Sequence, residues 1–255
     1  MFPQILWLLN KCINRSLATS CILGLSLTTT QVAQAEYHPP PDQRPVSGYT
    51  WTTGTRGGGG CGVSQGPSLT VLAPLQHIGQ TASLHPTFAW FVPSNSSSLP
   101  LEFTLFELDS NGQPKLAQKL KRISSPGIMK LSLSEDKPGL TVGQRYLWQI
   151  VISCDPNHPS TDLVTRAEIQ VVEMPRALKK PLSVTREPLK RVDLYAESGL
   201  WYDALSEALG STSDGRLGEY ASTLLEDLAK LEEPKQSANL RQIALQRRTD
   251  ARRSQ

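Results

Sequence analysis

Gly62-Val-Ser64-Gln-Gly66 has the spacing of a nucleophile elbow, in which a serine on a sharp strand-to-helix turn attacks an acyl carbonyl. That chemistry depends on the turn. A glycine run precedes the segment and Pro67 follows it, so its surroundings predict a flexible loop, and a secreted serine hydrolase acting through Ser64 is the remotest reading. Ser134-Glu-Asp-Lys137 spells the Ser-x-x-Lys of penicillin-binding enzymes, yet it lies between two strand patterns with no helix to set the lysine beside the serine. The run Gly57 to Gly60 lacks a following Lys-Ser/Thr and does not predict a phosphate cradle. His38, His77, His85 and His158 share no metal-ligand spacing and read as solvated loop histidines. Asp155, His158 and Asp162 cluster closely enough to hold a cation, but Pro- and Asp-rich turns form without one. No catalytic residue, metal or cofactor is expected. Adjacent Trp201 and Tyr202 are the remaining signal: on a short helix the two cannot both face one core, so one is expected to be presented to a partner.

The elements that would carry these residues follow from composition and periodicity. Residues 1–35 read as a signal peptide: Lys11 and Arg15 precede an apolar run from Leu17 to Leu27, and Ala33-Gln-Ala35 is a small-x-small cleavage site that would start the mature protein at Glu36. No later stretch approaches the length of a membrane span. Removing Lys11 and Arg15 with the leader leaves 24 basic against 23 acidic residues, so the net charge falls from +3 to +1 and gives no global pull toward nucleic acid or anionic lipid. Cys12 and Cys21 leave with the signal. The other two, Cys61 and Cys154, predict a disulfide in an exported chain, contributing about 4 to 5 kcal/mol in the chain-entropy model.

Residues 36–60 read as a disordered Pro- and Gly-rich leader. Over 61–173, seven short apolar runs (69–72, 87–92, 101–108, 115–120, 127–133, 145–153 and 163–172) alternate with turn signals. They predict an antiparallel β-sandwich of immunoglobulin or fibronectin type, with Trp90 and Trp148 in its core. Leu140 followed by Tyr146 fits a tyrosine corner. Residues 174–187 read as a basic linker, 188–233 as a helical module and 234–255 as a basic flexible tail. Tyr195 to Leu205 resembles the turn of a tetratricopeptide helix pair, of which one unit is visible and must find something to pack on.

Arg56-Gly-Gly-Gly-Gly-Cys61, Pro67-Ser-Leu-Thr, Pro86-Thr-Phe-Ala-Trp90, Val142-Gly-x-x-Tyr146-x-Trp148, Cys154-Asp-Pro156 and Tyr195-Ala-Glu-x-Gly-x-Trp-Tyr-Asp-Ala204 arrive in order along the chain. Together they resemble the domain of unknown function 928 family of exported cyanobacterial proteins. The resemblance supports export and fold and implies no activity. The expectation is therefore a periplasmic or extracellular non-enzymatic protein, an adaptor or scaffold for an unidentified envelope protein. A carbohydrate- or cell-wall-binding module is the alternative.

Overall fold

β3 (Thr87–Val92) buries all six of its residues, Thr-Phe-Ala-Trp-Phe-Val, so both of its faces must be covered. In the computed structural model the inner face meets a second sheet and the outer face meets helices. The structure describes residues 36–41, 61, 66–96, 98–210, 212 and 215–253. Of its two units, 1–33 and 34–255, all of these lie in the second.

β3 sits between β1 (Thr70–Val71) and β6 (Gly127–Ser132) in a three-stranded antiparallel sheet. The second sheet contains β2 (Gly79–Thr81), β4 (Pro100–Leu108), β5 (Pro114–Ile123), β7 (Arg145–Ile152) and β8 (Leu163–Val171), in the order β2-β8-β7-β4-β5. Between the sheets Phe88 lies 5.1 Å from both Phe103 and Trp148, centroid to centroid, and Trp90 stacks on Phe103 at 6.5 Å. Trp90 and Trp148 are both core residues. The Tyr146 hydroxyl accepts the Thr141 amide at 3.1 Å, which ties β7 back to the turn before it.

The second sheet is mixed where an antiparallel one was expected, because β2 pairs parallel to β8. Gly-Gln-Thr carries no apolar alternation; backbone pairing to the β8 edge makes it a strand, a signal absent from side-chain periodicity.

Five helices follow: α1 (Arg176–Val184), α2 (Pro188–Glu197), α3 (Trp201–Gly210), α4 (Glu219–Leu231) and α5 (Pro234–Arg253). Two replace expected unstructured segments. Most of the stretch read as a linker is α1, which tolerates Pro181 and is held at its C-terminal end by the Arg191 guanidinium, which donates to the carbonyls of Leu182 at 3.2 Å and Thr185 at 3.5 Å. The stretch read as a flexible tail is α5, which buries Leu240, Ile243 and Ala244 at helical spacing. Pro234 ends α4 and opens α5, two roles compatible with its missing N–H.

The helices continue the core. Phe91, on the outer face of β3, shares a small cavity of about 50 Å³ with Leu217 and Ile243. The Trp201 indole donates to the Leu72 carbonyl at 2.9 Å, and Gln236 Nε2 donates to the Val71 carbonyl at 3.3 Å. Residues 36–41, expected to belong to the leader, dock on this layer: the Tyr37 ring is buried and meets Trp201 edge-on at 4.9 Å, while the His38 amide satisfies the Ala196 carbonyl at the end of α2. Gly199 permits both the turn and the docking. Its φ is +75°, and a Cβ there would lie 2.5 Å from Pro40.

Candidate functional site

A polar cleft of about 310 Å³ opens where α2 and α3 face the loop between β2 and β3. Each wall follows from local sequence. On the strand side Thr81 ends β2, and a chain of short-range bonds shapes the loop: the Ser83 amide donates to Thr81 Oγ1 and the His85 amide to Ser83 Oγ, both at 3.1 Å. Such side-chain turns are what Ser and Thr supply. On the helix side Asp203 and Glu207 stand one turn apart on α3, and Tyr195 projects from α2.

Asp203 joins the walls. Its Oδ2 accepts the Ala82 amide at 2.9 Å. Burial pushes the carboxyl up to about 6, against the lowering effect of the amides and the Thr81 hydroxyl that bond to it. Glu207 forms an ion pair with Arg191 at 2.9 Å, and this bond holds the guanidinium above its ordinary value. Arg191 also donates to the Tyr195 hydroxyl at 3.4 Å and lies 5.8 Å from the centre of its ring. Ser206 shares a 3.1 Å hydrogen bond with Thr87, and His85 Nε2 lies 3.1 Å from the Lys137 carbonyl. The acid, base and hydroxyl groups of the cleft are thus bonded to the scaffold. The half-buried face of Tyr195 and the unused lone pairs of the carboxylates and hydroxyls are what a ligand would meet.

The floor is Tyr202. Its hydroxyl accepts the Trp148 indole N–H at 2.8 Å and donates to the Glu168 carbonyl at 3.0 Å, linking α3 to two central strands. Burial raises its pKa. Gly79 lets the ring approach, since a Cβ there would meet Tyr202 Cε2 at 2.7 Å.

At the other side of α3 lies a buried polar group. The Tyr37 hydroxyl is 2.8 Å from His77 Nε2, and Glu232 Oε1 accepts the Leu75 amide at 2.8 Å. Burial pushes His77 down to about 4 and Glu232 up to about 7. His77 therefore departs from the solvated-loop expectation. Glu232 binds its proton more tightly folded than unfolded, so the stability it contributes is greatest below about pH 4.5 and is lost as pH rises toward 7. Glu232→Gln keeps an oxygen for Leu75 and removes the charge. The stability difference between variant and parent is expected to shift in favour of the variant by about 2–3 kcal/mol between pH 5 and pH 8. Denaturant unfolding at the two pH values checks this; a pH-independent difference contradicts it.

The sequence-predicted residues divide as follows. Cys61 and Cys154 form a disulfide with a Cα–Cα distance of 4.9 Å. Trp201 and Tyr202 do not present themselves to a partner: they are 0% and 1% exposed. The expectation that one must face outward assumed a helix with one covered face, whereas α3 has β2, β3, α2 and α4 against different sides. Ser64 and the glycine run lie outside the described residues. Lys137 and Ser134 share a turn, with the Lys137 amide donating to the Ser134 carbonyl at 3.2 Å. At the disulfide, Asp155 pairs with His158 at 2.6 Å and Asp162 accepts the Cys154 amide at 3.2 Å. Among the described residues no group of three His, Cys, Asp or Glu is placed to hold a metal ion. Sequence reading did not single out Asp203 or Glu207, and of the loop 82–86 it named His85 only as a solvated loop histidine. The spacing of the two carboxylates was visible, but nothing local marks a loop 120 residues earlier as the facing wall.

No curated protein matches the chain. Solved structures with limited similarity to the chain include the following two. The sensor domain of the anti-sigma factor RsgI4 from Pseudobacteroides cellulosolvens has 11% identity and a TM-score of 0.28, over 44% of this chain and 100% of that one. The third fibronectin III domain of the human KIAA0343 protein has 14% identity and a TM-score of 0.25, over 47% of this chain and 96% of that one. A family model matches residues 52–241, which take in both sheets, the cleft and the first four helices, and the chain belongs to that family, the Domain of Unknown Function DUF928.

Proposed function

We propose that this is an exported, non-enzymatic binding protein of the cell envelope, and that the cleft between α3 and the β2–β3 loop takes a hydroxyl-rich ligand such as a wall glycan. One observation carries the reading. The groups that could act as acid, base or nucleophile there, Asp203, Glu207, Ser206 and His85, are all bonded to the scaffold, while Tyr195 offers an aromatic face beside polar acceptors. That combination favours holding a polar ligand over transforming it. The disulfide and the absence, among the described residues, of a helix able to cross a membrane accord with a periplasmic or extracellular site. The scaffold is read as an immunoglobulin/fibronectin-like sandwich on its strand order, and the α2–α3 pair as one tetratricopeptide-like hairpin whose open face the sandwich closes.

The test is titration of the unit 34–255 with purified wall oligosaccharides. Tyr195→Ala is expected to weaken binding about tenfold or more while leaving the fold intact. Absence of binding by the parent chain, or equal binding by the variant, rejects the reading.

A protein-binding adaptor remains the second reading, and β5 favours it. Among the described residues this ten-residue strand pairs with β4 alone, and most of its side chains are exposed, so its outer edge could accept an extended peptide. Retention of an envelope protein that is lost when a proline replaces an edge residue of β5 would support it.

A further inference from the structure

α1 gives up little surface to the fold. Of its nine residues only Leu178 is buried, and Pro181 interrupts its hydrogen bonding. A helix this short gains little from its own backbone, so tertiary contact must stabilise it. Its exposed side is chemically consistent. Arg176, Lys180 and Val184 recur at four-residue spacing on one arc, with Lys179 beside them and Arg186 just beyond the end. All five are exposed, Val184 at 73%.

The charge is unbalanced locally although the chain is nearly neutral. Between 174 and 190 the one acidic residue is Glu187, and it pairs with Lys190 at 2.9 Å. Among the described residues no carboxylate forms an ion pair with Arg176, Lys179, Lys180 or Arg186. Arg191, by contrast, is committed to Glu207. Three exposed cations therefore share this arc with an exposed aliphatic side chain, and a fourth follows the helix end, on a helix whose opposite side is anchored through Leu178.

We infer that this arc is a peripheral docking surface for an anionic phospholipid bilayer. Cations there contact headgroup phosphates, and Val184 enters the boundary below them. A soluble polyanion would use the cations but gain nothing from Val184, and this distinguishes the two partners. Among the described residues no helix is long and apolar enough to cross a membrane, so such an association would be interfacial. It uses no residue that lines the cleft and does not depend on what the cleft binds.

The test is co-sedimentation of the unit 34–255, which contains every described core residue, with two vesicle types: phosphatidylcholine alone and phosphatidylcholine mixed with phosphatidylglycerol. Binding is expected on the mixed vesicles only and is expected to fall as salt rises. Lys179→Gln with Lys180→Gln is expected to weaken it about 30-fold, about fivefold per cation, and Val184→Ser about fivefold. All three positions are exposed, and unchanged thermal unfolding confirms that the variants fold. Failure to bind anionic vesicles, or undiminished binding by the double variant, overturns the inference. So does a result in which the lysines matter but Val184→Ser does not, which assigns the face to a soluble polyanion.

Discussion

A chain ending at Arg186 is expected to give no stable sandwich. The cut removes α2 to α5 and with them Trp201, Tyr202, Leu205, Leu209, Leu224, Leu225 and Leu228, each 1% exposed or less. At about 1.5–3 kcal/mol per large buried side chain, these seven correspond to roughly 10–20 kcal/mol of apolar burial, as much as the net stability of a whole domain. The same cut uncovers the outer side of β3, leaves the Leu72 carbonyl without the Trp201 indole, and leaves the Trp148 indole N–H without the Tyr202 hydroxyl. Circular dichroism and denaturant titration of the shortened chain check this. A cooperative transition near that of the longer chain contradicts it.

Trp201→Ala is expected to cost about 5 kcal/mol. Truncating a fully buried Trp typically costs 3–5 kcal/mol, and the loss here adds an unpaired carbonyl at Leu72 and a cavity beside Tyr37. Tyr37 stacks on His77 and is edge-on to Trp201, so the variant is also expected to loosen the segment 36–41. Denaturant unfolding measures the first effect, and proteolysis near Glu36 the second. A loss below about 1.5 kcal/mol would mean that α3 sits on the surface of the fold, the position a partner-docking helix needs.

The sheets were largely legible in the sequence. β3 to β8 announce themselves by apolar runs between turn residues, and Tyr146 marked its own corner because Leu140 and the turn lie within six residues of it. The disulfide was legible for a similar reason: after the leader only two cysteines remain. What failed was information carried by distant neighbours. Gly79-Gln-Thr81 becomes a strand through the β8 edge, and α1 is held partly through Arg191, fifteen residues beyond its start. The burial of both Trp201 and Tyr202 depends on elements arriving from several sides of α3, which helical periodicity cannot register. The cleft was hidden for the same reason. Asp203 reads as an ordinary helix residue until the Ala82 amide, 121 positions earlier, is found against it.

If the helices are part of the sandwich core, the exposed chemistry of the described residues lies in the cleft, on the β5 edge and on α1, and not on the aromatic pair of α3. Native-state hydrogen exchange of the unit 34–255 tests this joint core most directly. Amides within α3 and α4 are expected to exchange with the same opening free energy as those of β4, β7 and β8, because no part of the core opens without the rest. Helices that exchange through a separate, lower-energy opening while the strands stay protected would contradict it, and would return α3 to the role of a detachable docking module.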